Sequence, residues 1–161
     1  MNTLVLFYSL TGRTHYEAKR ISEEIGAERY EVCERWRRTM LSAYFFGVAQ
    51  ARKRSFIMTE PLAVSPEDYD SIVLMAPIWG GFPAPAFNSM VREIPRHKEV
   101  EVILTSDSGK MRDRAGLKHY LEARGLIVKD IRVIKTEDLM KRERRYRKRM
   151  LKAELERKDG E

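Results

Sequence analysis

Residues 3–14, Thr-Leu-Val-Leu-Phe-Tyr-Ser-Leu-Thr-Gly-Arg-Thr, are the stretch that decides the fold of this chain. The first half is a short apolar run, which is typical of a buried strand. The second half is a polar loop with a glycine, and it leads into residues 14–25, which place Ala18, Ile21 and Ile25 on one helical face. A strand that passes through a polar loop into a helix predicts an α/β fold.

The alternation of strand and helix continues along the body of the chain. Residues 53–66 contain two prolines and are expected to form an irregular connection. Further strands are predicted at residues 29–33, 71–76, 100–104 and 126–134, and further helices at residues 40–52, around 87–94 and around 117–121. Strands that alternate with helices in this way predict a five-stranded parallel sheet that is covered on both faces.

Composition excludes several classes of protein. The chain has 161 residues, of which 43% are hydrophobic and 34% charged, and this predicts one globular domain. No apolar run approaches the roughly 20 residues that span a bilayer, and residues 1–4 lack the features of a secretory signal. The single cysteine, Cys33, excludes an internal disulfide, so we expect a cytoplasmic protein. His15, His97 and His119 show no metal-ligand spacing, and no metal site is predicted.

Positive charge is concentrated near the C-terminus. The net charge of the chain is +7, and residues 141–152 alone hold eight Lys and Arg against one Glu. Smaller clusters lie at residues 35–38 and 52–54. The concentrated segment is either the solvated face of a helix or a docking element for an anionic partner. We therefore predict a domain at residues 1–136 and a basic helical extension at residues 137–161.

The loops that follow the first, third and fourth predicted strands carry the functional signal. In parallel sheets, ligands bind beyond the carboxyl ends of the strands. Residues 9–14 combine three hydroxyl side chains, Gly12 and a helix N-terminus, which suits a phosphate group. The alternative is that Thr11 or Thr14 simply caps the helix.

The other two loops complete the pattern. Residues 77–85 hold three prolines, two glycines and the aromatic residues Trp79 and Phe82, which suit a flat ring. The alternative for Trp79 is a place in the core. Residues 105–110 are small and polar. Phosphate-type, aromatic and polar loops on one sheet edge form a stronger joint signal than any one of them.

These motifs resemble the flavodoxin family. The pattern Ser9-x-Thr11-Gly12-x-Thr14 is similar to the family's phosphate loop for flavin mononucleotide (FMN), and residues 76–86 are similar to its second, ring-contacting loop. Tyr69-Asp70 before the third strand is also typical of the family. The resemblance covers residues 3–134. It implies a doubly wound sheet in the strand order 2-1-3-4-5 and a non-covalently bound FMN at its edge.

The resemblance also implies the residues that bind the cofactor. Backbone groups near Trp79-Gly80-Gly81 are expected at the flavin N5, and Trp79 or Phe82 on one face of the ring. No catalytic side chain is assigned. The implied contacts are Ser9, Leu10, Thr11, Gly12, Arg13 and Thr14 in the first loop, Pro77, Ile78, Trp79, Gly80, Gly81 and Phe82 in the second, and Ser106, Asp107, Ser108 and Gly109 in the third.

Some positions depart from the family pattern or allow two interpretations. Arg13 stands where the family often has asparagine, and the third loop lacks the usual ring-stacking tyrosine. The aromatic helix at residues 40–52 resembles an insertion of some members and is expected near the flavin. Asp107 either lies near the ring or, as we expect, caps the next turn. His15 is either a phosphate neighbour or, as we expect, a surface residue.

Other families that share parts of this pattern fail on specific residues. Response-regulator receivers need acidic residues after the first strand and an aspartate after the third, where this chain has Phe7-Tyr8 and Ala76. Small cysteine phosphatases need an arginine six residues beyond the cysteine, where Thr39 stands. Cys33, inside a predicted strand, is expected to be an inert core thiol. The glycine patterns of nucleotide and dinucleotide sites are absent too.

The resemblance to the flavodoxin family therefore implies an FMN-binding electron carrier that moves one or two electrons between redox partners. An FMN-dependent NAD(P)H or quinone-type oxidoreductase is the alternative, and a flavodoxin-fold binding module that uses its basic tail is the third. The expected partner is an acidic redox protein. Nucleic acid is a weaker alternative, because only Tyr146 interleaves the tail cations. Association with a second copy stays open.

Overall fold

The computed structural model describes residues 1–136 together with residues 141, 144, 145 and 148. The predicted basic helical extension, residues 137–161, lies outside the described residues apart from those four positions. The domain boundary predicted at residue 136 therefore stays a prediction.

A sheet of five parallel strands forms the centre of the fold, and its order confirms the prediction. The strands pair in the order β2-β1-β3-β5-β6, which is 2-1-3-4-5 when the five long strands are counted along the chain. The short β4 pairs antiparallel with the end of β3 and was not predicted. The strands are β1 (Thr3–Phe7), β2 (Glu28–Glu31), β3 (Ser71–Trp79), β4 (Phe82–Pro83), β5 (Glu99–Ser106) and β6 (Ile127–Lys135).

The helices lie close to the predicted positions. The predicted helix at residues 40–52 is helical throughout, but it contains a π-helical turn, Ala43–Gly47, between two short α-helical pieces. Thr39 caps its start, and its hydroxyl accepts a hydrogen bond from the Ser42 amide at 3.2 Å. The α-helices are α1 (Arg13–Ile25), α2 (Met40–Ser42), α3 (Val48–Arg52), α4 (Pro85–Glu93) and α5 (Arg114–Ala123), and Pro66–Asp68 form a 3₁₀ turn.

The core lies on both faces of the sheet, as continuous apolar strands require. In β1, Leu4 and Leu6 face the layer that contains α4 and α5, whereas Val5 and Phe7 face α1. All four side chains are at most 1% exposed. Because β1 is buried on both faces, its carboxyl end and the loop beyond it are held in a fixed position.

The inner face of α1 differs from the prediction at one position. Ala18 and Ile21 are buried as predicted, but Ile25 is 51% exposed, because it is the last helical residue before the Gly26 cap. Glu17 is also fully buried, as are the small polar residues Thr14 and Ser22. The Glu17 carboxylate binds the Arg20 guanidinium, which satisfies the buried charge.

Cys33 is not an inert core thiol, so that prediction was wrong. Strand β2 ends at Glu31, and Cys33 is exposed. The chain turns away from the sheet after Val32, and the Cys33 carbonyl instead accepts a hydrogen bond from the Glu60 amide at 2.9 Å. Because the chain leaves the sheet after Val32, which is itself buried, Cys33 does not reach the core.

Candidate functional site

The carboxyl ends of β1, β3 and β5 open onto one cleft. Its volume is about 1110 Å³, just above the range of ~300–1,000 Å³ that is common for small-molecule sites. The three loops that follow these strands form one wall, and the segment 40–53 forms the other. The three loop motifs, which are far apart in sequence, thus lie together.

Ten of the sixteen residues predicted at the site line this cleft. They are Leu10, Thr11, Arg13 and Thr14 from the first loop, Pro77, Ile78, Trp79 and Gly80 from the second, and Ser106 and Asp107 from the third. The other six, Ser9, Gly12, Gly81, Phe82, Ser108 and Gly109, are not in its lining. Most of these six form the turns of the three loops and do not face the cleft.

The first loop ends in a helix without a side-chain cap. The N-cap of α1 is Gly12 at φ 89°, a left-handed conformation that favours glycine. The Ser9 hydroxyl accepts a hydrogen bond from the Gly12 amide at 3.0 Å, which closes the turn. The alternative in which Thr11 or Thr14 caps α1 is therefore wrong. The first turn also has no acidic residue, so its positive dipole end faces the cleft uncompensated.

Two contacts join the first loop to the third. The Thr14 and Thr105 hydroxyls lie 2.9 Å apart, and both residues are buried. At the surface, Arg13 Nη1 donates to Asp107 Oδ1 at 3.0 Å, with side chains 47% and 84% exposed. Asp107 thus engages Arg13, and the expectation that it caps the next turn was wrong. An exposed pair contributes only about 0–1 kcal/mol, so Arg13 can turn to another anion at little cost.

His15 is a surface residue, as expected. Its side chain is 48% exposed and its Nδ1 lies 3.1 Å from Glu31 Oε2. The ring also meets Phe7 edge-on, with centroids 5.4 Å apart. His15 does not line the cleft.

In the second loop, one of the two aromatic residues lines the cleft and the other does not. Trp79 lines the cleft, whereas Phe82 pairs with it across the β3–β4 turn and lies outside the lining. Of the two aromatic residues expected at the ring, Trp79 is therefore the one that lines the cleft. Trp79 is half-buried rather than a core residue, and its ring meets Tyr8 edge-on at 6.1 Å.

The glycines of the second loop permit close packing. Gly80 and Gly81 have φ values of 61° and 94°. A Cβ on Gly80 would lie 2.4 Å from a methyl of Val48, and one on Gly81 would lie 2.6 Å from Arg112. These glycines let α3 and Arg112 approach the second loop.

Hydrogen bonds within the third loop shape its turn. The Ser106 and Ser108 hydroxyls are 3.1 Å apart, and Ser108 accepts the Lys110 amide at 3.2 Å. Gly109, at φ 69°, packs against Lys135. Ser108 and Gly109 therefore build the turn, and Ser106 alone of these three faces the cleft.

Sequence reasoning missed most of the second wall. The helix at residues 40–52 was expected near the site, but its individual residues were not identified. The structure adds eight lining residues from this segment, together with Thr105 and Thr136 at the strand ends; the eight are Met40, Ala43, Tyr44, Phe45, Val48, Ala49, Arg52 and Lys53. The one sequence signal for them was the unusual aromatic content of this helix.

A buried ion pair anchors this second wall. The Glu34 and Arg38 side chains are only 8% and 9% exposed and meet at 2.8 Å. The Glu34 carboxylate also accepts a hydrogen bond from the Tyr8 hydroxyl at 2.6 Å, and Arg38 Nη2 donates one to Gln50 Oε1 at 2.5 Å. This network therefore joins the end of β1 to α3.

The same network fixes Trp79. The Arg38 guanidinium lies 5.8 Å from the Trp79 ring centroid, and a Cβ on Gly47 would lie 2.7 Å from that ring. Burial, reinforced by the hydrogen bond to Glu34, raises the pKa of Tyr8 well above its ordinary value. The Tyr8 hydroxyl therefore stays protonated and remains a donor to Glu34.

Stacking of Arg54 on Tyr120 holds the C-terminal end of the 40–53 wall. Arg54 follows α3, and its guanidinium lies 5.4 Å from the Tyr120 ring of α5 and 3.5 Å from Asp113. Among the described residues, Arg54 Nη1 and the Tyr120 hydroxyl are the buried side-chain atoms that lack a hydrogen-bond partner. Burial raises the pKa of Tyr120, which keeps its hydroxyl neutral.

Metal and membrane-spanning features are not found in the described part of the chain. Residues 1–136 and the four further positions hold no group of three His, Cys, Asp or Glu side chains that could bind a metal. Over the same residues, every helix is too short or too polar to cross a bilayer.

We predict that Arg38→Met lowers the free energy of unfolding by about 3–5 kcal/mol, because it leaves the buried Glu34 carboxylate without its cation. Chemical denaturation measures this change. Arg37→Met is the matched control at an exposed neighbour, and its effect should stay within about 0.5 kcal/mol. Equal losses in the two variants would show that the buried pair does not hold the wall.

Solved structures resemble this chain, although no family model and no curated protein sequence matches it. A flavoprotein from Lactobacillus acidophilus NCFM, solved in complex with FMN, shares 26% identity over 82% of this chain and 92% of its own, with a TM-score of 0.65.

Two further structures share the fold at lower identity. A structure from Bacteroides uniformis ATCC 8492 has 21% identity over 86% of this chain and 94% of its own, with a TM-score of 0.72. The two-electron reduced flavodoxin of Megasphaera elsdenii has 15% identity over 81% and 84%, with a TM-score of 0.51. The chain therefore has a flavodoxin-like fold, as its loop motifs implied.

Proposed function

We propose that this protein binds FMN in the cleft without a covalent bond and transfers electrons between redox partners. The observation that carries the proposal is the convergence of three strand-end loops on one cleft with a polar, cationic region and an aromatic region. The FMN complex of the Lactobacillus acidophilus flavoprotein, at 26% identity, supports the same ligand.

The first loop suits the phosphate. Thr11 and Arg13 line the cleft at the uncapped N-terminus of α1, where amides and the helix dipole favour an anion. Within the part of the chain that the structure describes, Arg13 pairs with the exposed Asp107, and it can exchange this partner for a phosphate. Ser9 and Gly12 would act by shaping this turn.

The opposite region suits the ring. Trp79 supplies an aromatic surface whose position is fixed by Tyr8, Arg38 and Gly47. Tyr44 and Phe45 approach from the other wall, so aromatic contact does not depend on a tyrosine in the third loop. Bound FMN would supply the one- and two-electron chemistry, and the protein would supply binding, orientation and local charge.

The side chains of the cleft favour a carrier. Within the described residues, its lining has no histidine or cysteine, and its one carboxylate, Asp107, is paired with Arg13. The expected partner is an acidic redox protein that docks over the cleft, because Arg13, Arg52 and Lys53 give its lining positive charge. The large volume favours a second candidate, an FMN-dependent NAD(P)H or quinone-type oxidoreductase, since it leaves room for a small substrate.

We predict that Thr11→Asp weakens FMN binding by at least about tenfold, because the new carboxylate repels the phosphate. Riboflavin, which has the same ring but no phosphate, should bind the variant and the parent protein with similar affinity. Titration of flavin fluorescence measures both dissociation constants. Ser65→Asp is the control for added charge at an exposed site outside the cleft. Equal losses for both flavins would contradict the assigned phosphate position.

We predict that NADH and NADPH reduce the FMN-loaded protein more slowly than about 1 s⁻¹, the low end of ordinary enzyme turnover. Anaerobic stopped-flow absorption follows this reaction, and dithionite serves as the control that the flavin is reducible. Reduction by either nucleotide at typical enzyme rates would favour the oxidoreductase over the carrier.

A further inference from the structure

Six large apolar side chains of the segment 36–46 lie in solvent. We call them the aromatic ridge; they are Trp36, Met40, Leu41, Tyr44, Phe45 and Phe46, and they are 64% to 74% exposed. A concentration of exposed apolar side chains of this kind marks an interaction surface.

A ligand in the cleft does not account for the ridge. Met40, Tyr44 and Phe45 belong to the cleft lining, but Trp36, Leu41 and Phe46 do not. These three side chains stay exposed whatever fills the cleft, so the ridge needs a second occupant.

Charge around the ridge indicates an anionic occupant. Arg35 and Arg37 flank Trp36 and are exposed, and the Arg35 guanidinium lies 5.7 Å from the Trp36 ring centroid. Arg52 and Lys53 add exposed positive charge at the far end of the same segment. In a symmetric dimer through this surface, each arginine cluster would approach like charge on the partner copy, which is unfavourable.

The basic C-terminal segment begins beside the same cleft. The described body ends at Thr136, which lines the cleft, and residues 141–152 hold eight cations. Five residues span at most about 18 Å, so the segment starts near this edge of the sheet. Its described members, Lys141, Arg144, Arg145 and Lys148, are exposed.

We propose that the aromatic ridge and the basic segment together bind the surface of an anionic lipid bilayer. Trp, Tyr and Phe side chains with flanking arginines suit the interface between headgroups and acyl chains. Stable peripheral binding needs two signals, and an apolar insertion beside a polybasic segment supplies both. The ridge and its flanking residues present only apolar side chains and cations, and an anionic bilayer takes both, the cations at its headgroups and the apolar side chains at its acyl chains. This surface does not depend on the identity of the cofactor.

Flotation with lipid vesicles tests the proposal on the full-length, FMN-loaded protein. Binding is expected to vesicles that contain phosphatidylglycerol and not to vesicles of phosphatidylcholine alone. The variant Trp36→Ser, Leu41→Ser, Phe46→Ser should bind at least about tenfold more weakly, because three apolar side chains no longer insert. The control Ile25→Ser, Ile127→Ser changes two exposed apolar residues at the opposite edge of the sheet and should bind like the parent.

Flavin absorption and circular dichroism check that both variants fold, and Phe46→Ser alone serves if the triple variant does not. Absence of binding to anionic vesicles overturns the proposal. Binding that is unchanged in the ridge variant overturns the role of the ridge. A dimer that the ridge variant dissociates, or binding to soluble polyglutamate instead of vesicles, would assign the surface to a second copy or to an acidic protein and would also overturn it.

Discussion

The buried pair between Glu34 and Arg38 is the interaction on which the candidate site depends. Two charges that are less than 10% exposed require good partners, and here Tyr8 and Gln50 supply them. The pair joins the end of β1 to α3 and holds the second wall of the cleft against the sheet. The three strand-end loops face this wall across the cleft.

The sheet and the second wall each contribute different residues to the site. The strands place a polar loop with an uncapped helix N-terminus beside β1 and a tryptophan at the end of β3. The second wall adds Tyr44 and Phe45 and fixes Trp79 from behind through Arg38 and Gly47. Because the wall is a separate segment, its outer surface is available for another interaction, and there the aromatic ridge lies.

The sequence was sufficient for the sheet and the main loops because their signals are local. A continuous apolar run such as β1 must be buried on both faces, and parallel strands bring their following loops to one edge. Trp79, Thr11 and Arg13 were found in this way.

Tertiary packing decided the features that the sequence did not predict. Phe82 turns away because β4 pairs with β3, and Gly81 accommodates Arg112. Cys33 is exposed because the chain leaves the sheet after β2. Glu34 and Arg38 are four residues apart in sequence, but the burial of their pair depends on Tyr8 and Gln50. No local sequence pattern reveals that these two residues approach it.

Fluorescence of Trp79 tests the central claim most directly. The chain has two tryptophans, so Trp36→Phe leaves Trp79 as the only one. Titration of this variant with FMN should quench the Trp79 emission saturably with one equivalent, because the ring would lie against that side chain. Flavin binding that leaves the Trp79 emission unchanged, or no binding at all, would contradict a flavin site between the second loop and the 40–53 wall.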